Sequence, residues 1–349
     1  MIFLDKKENK GARFNQTLVE GVEQRVVHFS QNENWYHAFG RIRKKLPADD
    51  GIIVSNDAYD LIMLQQFNTG KKVVQLVHDA YNIRLAMQYH DVVDAFVCHS
   101  YFYYEVLCQL LSGRRNDIYH LPYGIPVLNI TMVENRSDAL KCLFLGRLNR
   151  QKGIYDLFEI DALLQKRSVL VNWTIAGRGD ELQTLKTQWK DKRNVQFISP
   201  GDYEELIQVC AANDCMVFPT KFEGFPVALV ETMSVGCVPI VTDLPGGIRE
   251  VVNSETGFLC TLNDNEQFAK ALIDLNVHRN KLERLSTNCR MLITNNYNAV
   301  VQSPLYQQLF RKVFESDGEP KHHAVRKKIG SRLDKRWIPN KVTKIIRKA

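Results

Sequence analysis

Two short apolar runs, Cys215-Met216-Val217-Phe218 and Cys237-Val238-Pro239-Ile240-Val241, bracket the segment 222–231. Neither run alternates polar with apolar residues, so both faces of each must be buried. That is the signature of parallel strands covered by helices on both sides. The chain between them must then cross over as a helix. Pro226 suits the first helical position, where its missing N–H costs nothing, and Gly236 suits the helix end. A strand, a loop and an exposed helix N-terminus make an anion-receptive site at the carboxyl edge of a sheet. The loop is Phe222-Glu223-Gly224-Phe225-Pro226, and Glu231 follows eight residues after Glu223. Two acids at such an edge suit hydroxyl groups, as on a ribose or a sugar.

The same alternation runs through the chain. Strand candidates fall at 2–4, 25–29, 51–54, 72–77, 92–98 and 118–121, with helix-like segments such as 35–46 and 101–111 between them. A second series begins at 141–146 and continues at 169–176, 195–198, 214–218, 238–241 and 258–259, closed by helices at 266–275 and 281–295. Strands alternating with helices at this spacing predict an α/β fold with parallel, doubly wound sheets. The expected architecture is two Rossmann-like domains facing across a cleft. The expected divisions are an N-terminal domain at 1–138, a second domain at 139–298, a helix at 299–318 returning to the first, and a tail at 319–349. The stretch 126–139 lacks periodicity and is read as the linker.

At 349 residues the chain exceeds what one core usually serves. No apolar run approaches the length of about 18 residues that a spanning helix needs, and the charged start Met1-Ile2-Phe3-Leu4-Asp5-Lys6-Lys7 is unlike a signal peptide. The eight cysteines include no Cys-x-x-Cys and sit mostly in apolar runs. Buried free thiols in a reducing compartment, the cytoplasm, are the expectation. The net charge of +7 conceals an asymmetry: residues 320–349 carry eleven Lys or Arg against one acid, Asp334, leaving the rest of the chain at −3.

Four further groups sit at loops that follow strand candidates. Gly146-Arg147-Leu148-Asn149-Arg150-Gln151-Lys152-Gly153 offers two cations, Arg147 and Lys152, beside a helix start, which suits a diphosphate or simply a solvated surface. Gly177-Arg178-Gly179-Asp180 begins like a dinucleotide fingerprint, but Leu182 stands where the third glycine belongs, and a tight turn is the plainer reading. Gly246 and Gly247 could bring backbone amides to a phosphate or sugar, or form a structural turn. His78, followed by Asp79, ends a strand and faces the expected cleft, as a catalytic part or as a packed, hydrogen-bonded histidine, and Gly11 follows the first strand; these are acceptor or cleft candidates. The glutamates do not suit a glycosidase, whose carboxylates flank one bond at roughly 5 to 9.5 Å. No H-E-x-x-H, acidic metal triad, G-x-S-x-G or Walker loop is present.

Together these residues resemble the family-4 retaining glycosyltransferases of the two-Rossmann GT-B fold. The likeness is strongest over 143–259. Gly146-Arg147-Leu148 with Lys152-Gly153 is similar to that family's diphosphate grip, and Glu223-Gly224-Phe225-Pro226 with Glu231 to its E-x7-E element. Gly246-Gly247, Glu250 and Thr256-Gly257-Phe258-Leu259 match its later landmarks, and Pro122-Tyr123-Gly124-Ile125 the segment before its linker. The resemblance implies a nucleotide-diphosphate sugar donor. Arg147 and Lys152 would lie on the diphosphate, Glu231 on the ribose, and Glu223 with the amides after it on the sugar. Gly146, Gly177, Gly246 and Gly247 would line the donor site, and His78 would touch the donor sugar. It also implies catalysis by Glu223, Arg147, Lys152 and His78 with no required metal or other cofactor. The single Gly11 departs from the glycine pair common in relatives.

In the tail, Val325, Ile329, Leu333 and Trp337 recur every four residues among Arg326, Lys327, Lys328, Arg332, Lys335 and Arg336. An amphipathic segment on an anionic membrane surface is expected, against the alternative of a helix packed on the body. Nucleic acid is not an expected partner, since the body is net acidic. The function expected is transfer of a sugar to a glycan or lipid-linked acceptor of surface-polysaccharide or lipopolysaccharide synthesis, in the cytoplasm at the inner face of the membrane. The alternatives are a non-catalytic sugar-nucleotide-binding subunit and a nucleotide-sugar epimerase of the same fold.

Overall fold

The structure, a computed structural model, describes residues 2–6, 25–30, 32–128, 139–321 and 331–347, without the side chains of 2–6 and 25–29. Gly11, Lys327 and Lys328 lie outside the described residues, as do Val325, Arg326 and Ile329.

The elements follow in chain order: β1 (Ile2–Lys6), β2 (Arg25–Phe29), α1 (Trp35–Arg43), β3 (Ile52–Ser55), α2 (Ala58–Leu64), β4 (Lys72–Val77), α3 (Ala80–Tyr89), β5 (Ala95–Cys98), α4 (Tyr101–Leu110) and β6 (Ile118–His120). Then come β7 (Leu140–Leu145), α5 (Asp156–Gln165), β8 (Val171–Ala176), α6 (Leu182–Gln188), β9 (Val195–Ile198), α7 (Tyr203–Ala211), β10 (Cys215–Phe218), α8 (Val227–Ser234), β11 (Val238–Thr242), α9 (Ile248–Val251) and β12 (Phe258–Cys260). Helices α10 (Asn265–Val277), α11 (Arg279–Asn296), α12 (Ala299–Glu315) and α13 (Asn340–Ile346) complete the chain.

The strands form three sheets: β1-β2, β3-β4-β5-β6, and a six-stranded sheet in the order β12-β11-β10-β7-β8-β9. Every pairing in the six-stranded sheet is parallel. Its order is the doubly wound one, two runs of three strands spreading from the central pair β7 and β10. In such a sheet the ligand crevice opens where the order reverses, outside the carboxyl ends of that pair. The loops after β7 and β10 are the ones that carry Arg147, Lys152 and Glu223.

The chain divides into two compact units, one of residues 1–77, 84–96 and 310–349, the other of 78–83 and 97–309. In the second, the core is the sheet's own apolar run. All four residues of β10 and all five of β11 are buried, and Phe144, Phe218, Trp173 and Trp189 are almost wholly enclosed. Each large apolar side chain buried this way contributes roughly 1.5–3 kcal/mol. Trp173 Nε1 donates to Asp161 at 2.9 Å, and Asp161 also accepts from Lys192, Asn194 and Gln165, so this buried acid is fully satisfied. All eight cysteines are free and buried.

Three sequence expectations shift. The strand expected at 92–98 starts at Ala95, because the Asp94 carboxylate accepts from Val73 N at 2.7 Å and Lys321 N at 2.9 Å, fixing the chain before the ladder begins. Pro226 is the N-cap of α8, with ψ at 77°, not its first helical residue. In the tail, residues 331–338 form turns and bends, and α13 follows them. The cause is Asp334, 5% exposed, which accepts from Trp35 N at 2.9 Å and Ser331 N at 2.9 Å. It also pairs with Arg347, which donates to Glu33 O at 2.8 Å, while the amide of Asn34 donates to the carbonyls of Leu333, Lys335 and Ile338. A four-residue apolar period cannot hold a helix where a buried acid requires other partners.

Candidate functional site

The loop after β7 is built to present Lys152. A 3-10 turn, Arg150–Lys152, starts at Asn149, whose side chain accepts from Lys152 N at 3.1 Å. It ends at Gly153, which takes a left-handed φ of 68°, and a Cβ there would lie 1.9 Å from Pro219 O. Glycine is therefore required twice over, by conformation and by the close approach of the loop after β10. Lys221 N donates to Gln151 O at 2.9 Å and locks the two loops. Lys152 Nζ then lies 5.4 Å from the centre of the Phe218 ring and 2.6 Å from Glu223 Oε2. Arg147, on the same loop, is exposed.

Gly224 and Phe225 are buried behind Glu223. A Cβ on Gly224 would lie 2.2 Å from His78 O, so only glycine lets this loop approach His78 and Asp79 so closely. Gly247 N donates to Gly224 O at 2.8 Å, and Gly246 passes beside the carbonyls of Glu223 and Gly224. The Gly247 amide is thus already engaged on the Glu223 loop, and the paired glycines clasp that loop. Gly177 is likewise held against Gly146 O, and Leu148 N donates to Arg178 O at 2.9 Å. The G-x-G element is a loop-to-loop contact. Asp79 caps α3, its Oδ1 accepting from Tyr81 N at 2.8 Å and Asn82 N at 3.1 Å.

Glu231 lies on α8. Burial pushes its carboxyl up to about 7. Tyr203 is pushed up to about 12, by burial first and then by the Glu231 charge; its hydroxyl donates to Pro126 O at 2.8 Å. An acid held half-protonated near neutrality can both donate to and accept from a hydroxyl pair.

Residues that sequence reasoning left unassigned surround His78. Tyr123 hydrogen-bonds His78 Nδ1 through its hydroxyl, and the ring planes lie within 1° of each other. His99 stacks on Tyr123 with centroids 3.7 Å apart, and Phe225 lies 5.6 Å from Tyr123. His99 Nδ1 is 3.0 Å from both Leu121 O and the Tyr306 hydroxyl. Burial holds His78 below the usual histidine range, and burial, with the neighbouring His78 second, takes His99 down to about 3. The signal for His99 was present in the sequence: like His78 it immediately follows an apolar strand. Glu250 accepts from Tyr101 N at 2.6 Å and lies 3.5 Å from His120 Nε2, so it ties the start of α4 to the end of β6.

Elsewhere, Arg332, Lys335, Arg336 and Trp337 are exposed, Trp337 at 74%, with Ile345 and Ile346 also exposed on α13. An open depression of about 660 Å³ is lined by Tyr155, Gln183, Thr184, Thr187 and Gln188, apart from the residues above. Among the described residues no three His, Cys, Asp or Glu side chains group as a metal site, and no helix is long and apolar enough to cross a membrane.

Residues 132–291, just under half of the chain, match the family model described as Glycosyl transferases group 1. A UDP-Gal:alpha-D-GlcNAc-diphosphoundecaprenol alpha-1,3-galactosyltransferase of Escherichia coli is 28% identical over 170 residues, covering 48% of this chain and 44% of the relative. A putative colanic acid biosynthesis glycosyltransferase, WcaL, of Salmonella typhimurium is 26% identical, covering 55% of this chain and 52% of the relative. The chain thus spans about half the length of these relatives. Among solved structures, Anabaena Alr3699/HepE in complex with UDP and glucose superposes with a TM-score of 0.69 at 17% identity, over 82% of this chain and 86% of that one. At that identity the likeness establishes the fold, which is the expected GT-B type.

Proposed function

We propose that this chain, whose residues 132–291 match the model of the glycosyl transferases group 1, is a retaining glycosyltransferase. It would move a sugar from a nucleotide-diphosphate donor to a lipid-linked or surface-polysaccharide intermediate. The observation that carries the reading is the Lys152–Glu223 pair at the reversal point of a doubly wound sheet, with His78 packed on the same loop. Lys152 has two further N–H donors and Glu223 a second carboxylate oxygen. A diphosphate can therefore take the ammonium while a sugar hydroxyl takes the carboxylate, and the pair need not part. Lys152 and Arg147 neutralise the charge that grows on the leaving diphosphate, a contribution larger in the transition state than in the ground state. They do so without a metal. Glu231 holds the ribose hydroxyls, and His78 the transferred sugar. Retention follows from attack on the face the diphosphate leaves, with its oxygen taking the acceptor proton.

In this reading residues 1–138 serve the acceptor, 139–298 the donor, 299–318 cross back, and 319–349 form the basic tail. The lipid-linked acceptor is argued from the diphosphoundecaprenol named for the Escherichia coli relative and from the exposed Trp337, Ile345 and Ile346 among Lys335, Arg336 and Lys341. Each basic group at an anionic surface contributes about 1 kcal/mol. The enzyme would work at the cytoplasmic face of the membrane.

The test is a thermal-shift series of nucleotide sugars on the full chain, followed by transfer to an undecaprenyl-diphosphate sugar with the anomer of the product read by NMR. One donor at a hundred times its Kd should stabilise by about 2.7 kcal/mol and yield a product of unchanged anomeric configuration. Absence of stabilisation by every nucleotide sugar, or an inverted product, overturns the reading. For the membrane, flotation with vesicles containing anionic lipid should recover the full chain and lose the Lys335→Glu, Arg336→Glu double variant. Equal recovery removes the membrane as a partner.

A further inference from the structure

The Tyr123 hydroxyl hydrogen-bonds His78 Nδ1, and the planes of the two rings are parallel to within 1°. A neutral imidazole carries one N–H and one bare nitrogen, and the partner of one nitrogen decides which is which. A phenol that donates to Nδ1 leaves the ring proton on Nε2. Burial keeps both groups neutral, lowering His78 and raising Tyr123, so the phenol retains its proton.

Tyr123 is itself held from three sides. His99 stacks on its face at 3.7 Å, and His99 is fixed in turn by Leu121 O and the Tyr306 hydroxyl. Phe225, from the Glu223 loop, lies 5.6 Å away, with Tyr297 next to it at 5.9 Å. Beyond Tyr123 the backbone is clamped: Ile125 N donates to Tyr297 O at 2.8 Å, Ala299 N donates to Ile125 O at 2.8 Å, and a Cβ on Gly124 would lie 2.8 Å from Ala299 Cα. The ring is thus held by His99, by Phe225 of the Glu223 loop and by the clamped backbone that follows it.

We propose that Tyr123 is a positioning residue that fixes His78 as the Nε2–H tautomer, so that His78 offers the transferred sugar a neutral hydrogen-bond donor. This rests on the sugar-contacting role given to His78 above. In the Nδ1–H tautomer the same nitrogen would be an acceptor, and a sugar oxygen placed against it would face a lone pair.

The experiment uses the full chain with ring-15N histidine, His78 being assigned by the missing signal in His78→Gln. Wild type should show a bare, acceptor-type Nδ1 and a protonated Nε2 at His78. Tyr123→Phe, which keeps the ring and its stack on His99, should shift His78 toward a mixture of tautomers. Its kcat should fall about tenfold, the worth of one hydrogen bond, with unchanged affinity for the free nucleoside diphosphate. An Nδ1–H signal in wild type, or an unchanged His78 signal in Tyr123→Phe, overturns the proposal. If the tautomer shifts while transfer proceeds at the wild-type rate, Tyr123 positions the ring but the reaction does not use it, and the proposal falls on that outcome too. The NMR arms do not depend on transfer, so failure to find any transferase activity would count against the sugar-contacting role and leave the tautomer result readable.

Discussion

Lys152 Nζ and Glu223 Oε2 lie 2.6 Å apart across 71 residues of sequence, and each side chain retains 14% of its exposure. The pair joins the loops after β7 and β10, the two central strands of the six-stranded sheet. Removing one partner of a mostly buried pair strands the other charge. Lys152→Met should therefore lower stability by about 1–3 kcal/mol, discounted from the fully buried case because water still reaches the pair. The Lys152→Met, Glu223→Gln double variant should lose less than the two single losses summed, by at least about 0.5 kcal/mol. Urea unfolding measures all three; strict additivity would mean that the contact has no energetic weight.

Glu231 gives a pH signature of defined sign. Its folded-state value is raised from 4.5 to about 7 by burial, so the folded chain binds this proton more tightly than the unfolded chain does. The resulting stabilisation is complete below about 4.5 and is lost as pH rises through about 7. Glu231→Gln, which cannot ionise, should equal wild type in stability near the low end of that window. Above it the variant should be more stable, by on the order of 3 kcal/mol at most. If Glu231 holds the ribose as proposed, the same variant should bind the donor more weakly, because the amide offers one acceptor oxygen where the carboxyl group has two. Identical pH profiles for the two proteins would show that Glu231 is not desolvated in the free chain.

Gly224 tests the close approach to His78. A methyl group there meets His78 O at 2.2 Å and Asp79 Cβ at 2.9 Å, backbone and near-backbone atoms with little freedom to move. Gly224→Ala should abolish transfer and cost about 1–3 kcal/mol. Gly113→Ala has no atom within 4 Å of the new Cβ and should stay within about 0.5 kcal/mol of wild type. Comparable activity in both variants would show that the Glu223 loop is not held where the structure has it.

Much of this was legible in sequence because parallel strands advertise themselves. The expected strand at 195–198 is β9, and the apolar runs before and after Glu223 are β10 and β11, buried throughout. The acids and cations of the candidate site fall at the ends of those strands, so their neighbourhood follows from the fold class. What was not legible is what each glycine touches. The sequence left Gly177 between a tight turn and a fingerprint and Gly247 between a ligand contact and a structural turn; it did not show that Gly177 lies against Gly146 O or that Gly224 O accepts from the Gly247 amide. Such partners are set by loop packing over distances in sequence that no local pattern encodes. Tyr123 was legible only as part of the segment before the linker for the same reason, its partners being His78 and His99.

The tail makes the last case, since its period-four stripe and its single acid pointed in opposite directions. The stripe suggested an amphipathic segment; over 331–338 Asp334 instead sets turns, buried against Trp35 N, Ser331 N and Arg347. Asp334→Ala removes the acceptor for four donors at once, the Trp35 and Ser331 amides, the Ser331 hydroxyl and Arg347, and leaves Arg347 beside an apolar methyl. The expected loss is about 2–4 kcal/mol, with faster hydrogen exchange at the Trp35 amide. Lys335→Glu and Arg336→Glu, at the two exposed positions directly after Asp334, should change stability by less than about 0.5 kcal/mol. That contrast separates anchoring from surface charge: the acid fixes the tail to residues 33–35, and the exposed cations remain free to meet an anionic surface without unfolding anything. A destabilisation as large for Lys335→Glu as for Asp334→Ala would place the cations in the fold's own interactions and remove the physical basis for a membrane-facing tail.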